Sequence, residues 1–255
     1  MTGWTAIVLA GSRPGRDAFA EAHGTDLKAL IPVAGVPMVR RPVEALLASD
    51  AIASVRVLTQ QPGRFDEVLP ADPKLAVEQS QGTIAATLAA LCTDPATRWP
   101  LLVTTADHAL LDTAMISDFC AQAAGADIAI AVVERAALMA RLPGASRTWI
   151  PFKGGAYSGA NLFALGGPQA LPAIAVWRGV EQDRKKGWRL LWQLGPSVFL
   201  GAMLRLLTLQ QVLRRIGGKL DVQIRPVVMS DPLACVDVDK QADLDLAEKL
   251  LAERG

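Results

Sequence analysis

A basic loop near the start of the chain is the first feature whose residues suit chemistry. The first apolar run, Trp4 to Ala10, leads into small residues and then Arg13 and Arg16. Backbone N–H groups in such a loop can approach phosphate oxygens, and the guanidinium groups supply positive charge. The loop contains neither the Gly-Lys-Ser/Thr of a P-loop nor GxGxxG. On these residues alone, an ordinary glycine turn explains the pattern equally well.

A carboxylate farther along the chain has the surroundings of a metal ligand. Asp107 follows the apolar run Leu101 to Thr105, which reads as a buried strand. In open α/β sheets, ligands gather at the carboxyl ends of parallel strands. A hard cation such as Mg²⁺ is held in proteins by one or two carboxylates together with phosphate oxygens. Asp107 is therefore the best metal-ligand candidate that the local pattern provides.

The elements that must position these residues alternate along the chain. Short β-rich runs and helical periodicity follow each other, which predicts an α/β fold with a mostly parallel sheet. We predict one domain over residues 1–255, with a helical insertion at about 168–218. Within the insertion, Thr208 is a candidate N-cap and Gly217-Gly218 a helix end. The predicted strands lie at 4–10, 54–59, 101–105, 127–133 and 220–229, and the predicted helices at 37–48, 83–91, 115–124 and 240–253.

Composition narrows the class of protein. The chain is 51% hydrophobic and 20% charged, which excludes disorder and favours buried strands. Its 26 basic and 25 acidic residues nearly balance, which argues against a nucleic-acid surface. Three scattered cysteines form neither a disulfide framework nor a zinc motif, so we expect a reducing cytoplasm. The apolar run Leu190 to Leu204 is too short for a transmembrane span, although peripheral membrane contact stays open.

The order of residues around the first loop resembles a known enzyme family. The pattern L-A-G-x-R-x-G-R is followed by K-A-L-x-P-V-A-G-x-P-M-V, which begins at Lys28. This order is similar to the opening of sugar-1-phosphate and alditol-phosphate nucleotidyltransferases and of molybdenum-cofactor guanylyltransferases. The resemblance implies a three-layer α/β/α, nucleotide-diphospho-sugar-transferase-like (Rossmann-like) fold. It also implies Mg²⁺- or Mn²⁺-dependent transfer of a nucleoside monophosphate from a nucleoside triphosphate to a phosphorylated acceptor.

The same resemblance assigns roles in the nucleotide site. Arg16 and Lys28 would neutralise the triphosphate and form the catalytic set with Asp107. Ser12 stands where the family usually has a second glycine. Thr83 admits a second interpretation as a helix cap. The implied nucleotide-binding residues are Leu9, Ala10, Gly11, Ser12, Arg13, Gly15, Arg16, Lys28, Gln81, Gly82, Thr83 and Ala106.

A second metal ligand is implied near the C terminus. Asp237 occupies the first position of a stretch that resembles the family's D-x-x-x-x-x-D-L pattern. Asp239, two residues on, is explained more simply as the N-cap of the final helix. His108 is interpreted as a hydrogen-bonding group, because an acceptor phosphate is already ionised and needs no general base. The resemblance thus predicts metal ligation by Asp107 and Asp237.

The acceptor side is matched more loosely. Tyr157, Gly159 and Asn161 resemble the family's acceptor-side strand, and a β-bulge with a capped turn is an equally fair interpretation. Lys185 and Lys186 belong to a basic cluster that could bind an acceptor phosphate. A solvated helix face and anionic lipid headgroups are the alternatives for this cluster.

Two other functions fit the same pattern. One is a GT-A-type glycosyltransferase that uses a nucleotide sugar, against which Lys28 argues because such an enzyme has no pyrophosphate to neutralise. The other is a catalytically inactive nucleotide-binding module. The expected partners are a nucleoside triphosphate and a small phosphorylated acceptor. The base, the acceptor, and the choice between monomer and homodimer stay open.

Overall fold

A computed structural model of the protein describes residues 3–12, 15–80, 82–182, 201 and 204–254. Their strands are β1 Trp4–Leu9, β2 Pro32–Val33, β3 Val36–Pro37, β4 Ile52–Thr59, β5 Leu75–Gln79, β6 Leu101–Thr105, β7 Ile128–Glu134, β8 Ile150–Phe152, β9 Gly155–Leu165 and β10 Ile224–Val228. Their helices are α1 Ala18–Ala22, α2 Arg40–Leu47, α3 Ile84–Thr93, α4 Thr113–Ala123, α5 Arg135–Arg141, α6 Leu171–Gln182, α7 Leu209–Leu220 and α8 Gln241–Arg254.

The main sheet is mixed but mostly parallel. Its strands follow the order β10-β7-β9-β6-β1-β4-β5, and β8 pairs with β9 outside this path. Strand β1 lies parallel to both β4 and β6, β5 continues from β4, and β10 pairs with β7. Strand β9 runs antiparallel to β6, β7 and β8. The carboxyl ends of β1, β4 and β6 therefore meet at one edge, as the sequence pattern predicts.

Helices cover both faces of this sheet. Successive residues of β1 alternate between two buried clusters, with Ala6 and Val8 in one and Ile7 in the other. The first cluster includes buried residues of α2, α4 and α8, and the second includes those of α3 and α6. Because a parallel sheet buried on both faces needs apolar side chains on both, the continuous apolar runs of the sequence are explained. The predicted three-layer α/β/α arrangement is confirmed.

Within the helical insertion, the predicted start of one helix is confirmed and its predicted end is wrong. Thr208 caps α7 through a capping box with Gln211, as its position predicted. The predicted end at Gly217-Gly218 is wrong, because α7 continues to Leu220 and ends at Asp221 in the left-handed conformation, with φ of 54°. Gly217 is required for packing instead, since a Cβ there would collide with the carbonyl oxygen of Val222.

The predicted apolar segment beginning at Leu190 lies largely outside the described residues, as do Lys185 and Lys186. Among the helices that the structure describes, none is long and apolar enough to cross a bilayer.

Candidate active site

The loops that follow β1, β4 and β6 leave the sheet side by side and surround the site. Leu9 is in register with Leu58 on one side and Thr105 on the other. The next peptide groups tie these strand ends together, because Ala10 N–H donates to the Leu58 carbonyl at 2.9 Å and Ala106 N–H donates to the Leu9 carbonyl at 3.0 Å. The loop after β1 and the loop carrying Asp107 are consequently held next to each other.

Lys28 joins two carboxylates from distant parts of the chain. It lies in a short 3-10 turn, Lys28–Leu30. Its ammonium Nζ is 2.7 Å from Oδ2 of Asp107 and 2.5 Å from Oδ1 of Asp239. The other oxygen of Asp107 accepts a hydrogen bond from the Thr105 hydroxyl at 2.5 Å. Lys28 and Asp107, which were both predicted to be catalytic, are therefore in direct contact.

Asp237 is held by a second cation. Its Oδ1 forms an ion pair with Arg147, and its Oδ2 accepts a hydrogen bond from the Asn161 amide at 3.0 Å. The two acidic segments are linked through the backbone, because Val238 N–H donates to the Asp107 carbonyl at 3.1 Å. Asp107 and Asp237 therefore belong to one cluster in which two carboxylates are each compensated by a basic side chain.

The cluster is charged in its resting form. Burial alone would lower the pKa of Lys28, but the carboxylates of Asp107 and Asp239 outweigh it and raise that pKa above its ordinary value. Burial likewise acts to raise the pKa of Asp237, and the Arg147 guanidinium overcomes it and lowers that pKa. The pKa of Arg147 is raised by the same pair, against the effect of its own burial. These ion pairs are therefore intact at neutral pH.

The role predicted for Asp239 as a helix cap is wrong. Helix α8 begins two residues later, at Gln241, and the Asp239 carboxylate is used by Lys28. Only its backbone N–H is turned toward the helix, where it donates to Oδ2 of Asp243 at 3.2 Å. Asp239 is therefore a member of the charged cluster, in contact with the lysine.

The loop after β1 is supported by Gln60, which sequence patterns did not single out. The Gln60 side chain accepts a hydrogen bond from Ser12 N–H at 2.9 Å, and its backbone carbonyl accepts one from the Gln79 side chain at 3.0 Å. Gly11 packs so closely against this amide that a Cβ would lie 2.8 Å from Gln60 Nε2. A polar residue directly after β4, at the ligand-bearing edge, was the available signal for Gln60.

Arg16 is not part of the cluster in this structure. Its guanidinium pairs with Glu21 at 2.6 Å, and its side chain is 86% exposed. The hydrogen bond to Glu21 raises the pKa of Arg16. Gly15 precedes it with a positive φ of 110°. Arg13 lies outside the described residues.

The segment predicted to face the nucleobase begins helix α3. Thr83 is its N-cap and accepts a hydrogen bond from Ala86 N–H at 3.3 Å, which bears out the capping interpretation. Gly82 has a positive φ of 106°, and Gln81 lies outside the described residues. The start of this helix follows β5, at the same edge as the loop after β1.

His108 is buried beside Asp107 and is not exposed to a substrate. Its side chain has no solvent-accessible surface, and Nδ1 lies 3.3 Å from the Thr104 hydroxyl. The backbone of Ala234 and the carboxylates of Asp107 and Asp237 favour the protonated ring. Burial outweighs the nearby carboxylates and lowers the pKa of His108 to about 4. A neutral, enclosed imidazole agrees with the prediction that His108 is not a general base.

Of the predicted acceptor residues, Asn161 reaches the charged cluster. It lies in β9 with φ of 47°, near an irregularity in the pairing of β7 and β9, which fits the bulge interpretation. Its side chain contacts Asp237. Gly159 is in the same strand and has open space where a Cβ would be, whereas Tyr157 packs against Phe152 with ring centroids 6.2 Å apart.

The carboxylates suit a divalent cation only if other oxygens complete its coordination. Over the described part of the chain, no group of three His, Cys, Asp or Glu side chains could hold a metal ion. Mg²⁺ is commonly held by one or two carboxylates plus substrate phosphates and water. Asp107 and Asp237 provide two such carboxylates, so the donor set fits an ion that arrives with a triphosphate.

Arg147 was missed by the sequence analysis. It lies in the loop after α5, in a stretch punctuated by glycine and proline, where no strand or helix pattern marked it. Its partner, Asp237, is 90 positions away along the chain. No local signal connects them, so this contact required the fold.

The fold and its charged sheet edge are compatible with a protein of the NTP-transferase class, which a family model shows directly. Residues 6–216 match the model of the MobA-like NTP transferase domain, and the chain belongs to this family. A comparison with curated proteins found no significant match.

Solved structures share this fold. A hypothetical transferase from Thermus thermophilus is 30% identical, with a TM-score of 0.79 over 95% of this chain and 100% of that one. CMP:2-keto-3-deoxy-manno-octonic acid synthetase in complex with CTP shares the fold at 14% identity, with a TM-score of 0.60 and full coverage of both chains. 4-Diphosphocytidyl-2C-methyl-D-erythritol synthase from Anaerococcus prevotii has 9% identity and a TM-score of 0.60, over 98% of this chain and 96% of that one.

Proposed function

We propose that the protein is a Mg²⁺-dependent nucleotidyltransferase that transfers a nucleoside monophosphate from a nucleoside triphosphate to a small phosphorylated acceptor and releases pyrophosphate. One observation carries the proposal: Lys28 is held between Asp107 and Asp239 beside the loop after β1. A half-buried cation among carboxylates at a ligand-bearing sheet edge suits a substrate that brings its own negative charge and a divalent cation.

Lys28 is the residue that responds to the triphosphate. In its resting position it compensates Asp107 and Asp239. A bound divalent cation would neutralise charge on the α-phosphate and take over the compensation of the carboxylates, here Asp107 and Asp237. The ammonium of Lys28 is then available to donate to phosphate oxygens and to stabilise the charge that develops on the leaving group.

The loop after β1 binds the triphosphate in this proposal. Gly11 and Ser12 rest on the Gln60 amide, so their backbone is fixed close to the sheet edge. Arg16 joins by leaving Glu21, an exposed ion pair that water screens and that holds the guanidinium only weakly. The nucleobase lies toward Gly82 and Thr83, at the start of α3.

The transfer step needs no protein base. An oxygen of the acceptor phosphate forms a new bond to the α-phosphorus, and the bond from that phosphorus to the oxygen bridging to the β-phosphate breaks. The bridging oxygen keeps the electron pair and departs in pyrophosphate. A phosphate monoester has its second pKa at about 6, so near neutral pH the attacking oxygen already carries charge. The buried, neutral His108 is consistent with this requirement.

Pyrophosphate release is the measurement that tests the proposal. The full chain with Mg²⁺ is incubated with each of the four nucleoside triphosphates and a panel of phosphorylated sugars, polyols and cofactor precursors. We expect release that requires one particular pair and stops when Mg²⁺ is chelated. Release that proceeds without any acceptor, or turnover of a nucleotide sugar instead, would contradict the proposed reaction.

A further inference from the structure

A groove next to the charged cluster has no role in the reaction described so far. It lies between residues 138–147, which comprise the end of α5 and the following loop, and residues 236–253, which include most of α8. Its volume is about 580 Å³. Sites for small organic molecules typically measure about 300–1,000 Å³, so the groove is large enough for one.

The groove is basic at its rim. Four cationic side chains line it, against the two acidic side chains of Asp243 and Glu253. Arg141 pairs with Glu253 at 3.3 Å, and Arg147 pairs with Asp237. The other two cations, Lys240 and Lys249, are exposed and form no ion pair with residues that the structure describes. Because Lys240 and Lys249 are not compensated in this way, the groove would attract an anionic ligand.

The floor of the groove is apolar. Leu142 and Leu246 line it and are only partly buried, so they offer accessible hydrocarbon surface. Val236 and Leu250, which are buried members of the core, also line the groove. A ligand that is only an inorganic anion would leave this surface unused. The combination suits a molecule with both an anionic group and an apolar body.

Arg147 connects the groove to the reaction. Arg147 lines the groove and its guanidinium holds the Asp237 carboxylate, and Asp237 also contacts Asn161 of β9. The groove and the charged cluster therefore share one residue, Arg147. A phosphate placed beside Arg147 would lie next to the carboxylate that is assigned to the metal.

We propose that this groove is the acceptor site and that the acceptor is an amphipathic phosphate monoester, with its phosphate beside Arg147 and its apolar body on Leu142 and Leu246. The inference rests on the proposed function, which it makes specific for a class of acceptor. Lys249 and Lys240 attract the anion and guide the phosphate toward Arg147. Transfer then places the new phosphoanhydride bond at the end of the groove that adjoins the cluster.

Binding of simple alkyl phosphates to the full chain tests the groove without requiring turnover. Isothermal titration calorimetry compares inorganic phosphate, methyl phosphate and hexyl phosphate. Each methylene that becomes buried increases affinity by up to about fourfold, so we expect hexyl phosphate to bind at least tenfold more tightly than methyl phosphate. Methyl NMR signals of Leu142 and Leu246 should shift on titration.

Charge reversal supplies a matched pair of variants. Lys249→Glu changes the groove and touches none of the catalytic residues, whereas Lys219→Glu makes the same change on α7, at an exposed position on the other face of the sheet. We expect Lys249→Glu to weaken hexyl phosphate binding at least fivefold and Lys219→Glu to leave it unchanged. Arg147→Ala should weaken binding further, because it removes the cation that meets the phosphate.

Binding of a Mg²⁺-triphosphate to wild type, measured in parallel, separates the two hypotheses. If the triphosphate binds but chain length and Lys249→Glu have no effect on the alkyl phosphates, the groove assignment is overturned and the anions bind adventitiously only. If the groove binds hexyl phosphate but no triphosphate binds, the proposed function fails, and with it the assignment of the groove to an acceptor.

Discussion

At the scale of single residues, the cluster is organised by two cations that compensate carboxylates until a substrate replaces them. Lys28 compensates Asp107 and Asp239, and Arg147 compensates Asp237. Both basic groups are partly buried. If they were removed and not replaced, the carboxylates beside them would be left desolvated and without a paired charge, which is unfavourable. Loss of either cation should therefore favour the binding of another positive charge, and different substitutions should separate catalysis from metal affinity.

Lys28→Met should nearly abolish transfer while leaving the protein folded. The lysine stabilises developing charge on the leaving group, and loss of such a contact typically costs about 100- to 1,000-fold in rate. We expect a fall of at least 100-fold in pyrophosphate release, with far-UV circular dichroism unchanged. Lys74→Met, at an exposed residue that donates its backbone N–H to Asp72, is the matched control and should keep full activity. A Lys28→Met enzyme with normal turnover would remove Lys28 from the mechanism.

Arg147→Ala should increase the affinity for a divalent metal ion and weaken the binding of the acceptor. With the guanidinium gone, the mostly buried Asp237 carboxylate loses its ion-pair partner and attracts a divalent cation more strongly. We expect Mn²⁺, followed by electron paramagnetic resonance without nucleotide, to bind several-fold more tightly than to wild type. Arg147→Lys keeps the charge and should stay near wild type. Unchanged Mn²⁺ affinity in the alanine variant would argue against Asp237 as a ligand.

At the scale of elements, the loop after β1 depends on its contact with the residue that follows β4. Gly11→Ala would place a Cβ 2.8 Å from the Gln60 amide, so the amide must move away from Ser12. We expect triphosphate affinity to fall about tenfold, because the loop loses its fixed position. Global stability should change little, since the displaced atoms belong to a flexible side chain. Calorimetry of nucleotide binding checks the first expectation, and urea unfolding checks the second.

Helix α7 offers a prediction that concerns stability alone. Thr208 accepts a hydrogen bond from Gln211 N–H at 3.2 Å, and the Gln211 side chain accepts one from Thr208 N–H at 3.0 Å. Replacing such a cap by alanine typically costs about 1 kcal/mol. Thr208→Ala should lower the free energy of unfolding in urea by about that amount, and Thr208→Ser should restore most of it. Equal stability of the three proteins would mean that the cap is frayed in solution.

Elements with a strong local pattern were predictable, and contacts between distant elements were not. The strand Leu101–Thr105 and the cap at Thr208 follow from apolar runs and capping chemistry that act over a few residues. Gly217 was misread because a glycine that ends a helix and one that packs against a carbonyl have the same sequence signature. Arg147 meets Asp237, and Lys28 meets Asp239 across 211 positions, only because the sheet order brings their loops together.

At the scale of the whole molecule, burial of His108 ties stability to pH. The imidazole is enclosed away from water, so protonation in the folded state is unfavourable even though the Asp107 and Asp237 carboxylates and the Ala234 backbone act in the opposite direction. Burial lowers the pKa of His108 from 6.5 to about 4. Below pH 6.5 the unfolded chain takes up a proton that the folded protein does not accept until about pH 4. This residue's contribution to stability is therefore complete above the unfolded pKa and is lost across that window as pH falls.

The loss attributable to His108 should be on the order of 3 kcal/mol between pH 7 and pH 4, at about 1.36 kcal/mol for each unit of pKa difference. Urea unfolding of wild type and His108→Gln over this range isolates the effect, because carboxylates with lowered pKa values, such as Asp118 and Asp127, contribute equally to both proteins. We expect the variant to lose less stability on acidification. Should it fail to fold, the imidazole C–H signals of wild type give the same answer, since the chain has only two histidines. A His108 signal that titrates near pH 6.5 in the folded protein would show that the imidazole is solvated, and the acid sensitivity would then belong to the carboxylates.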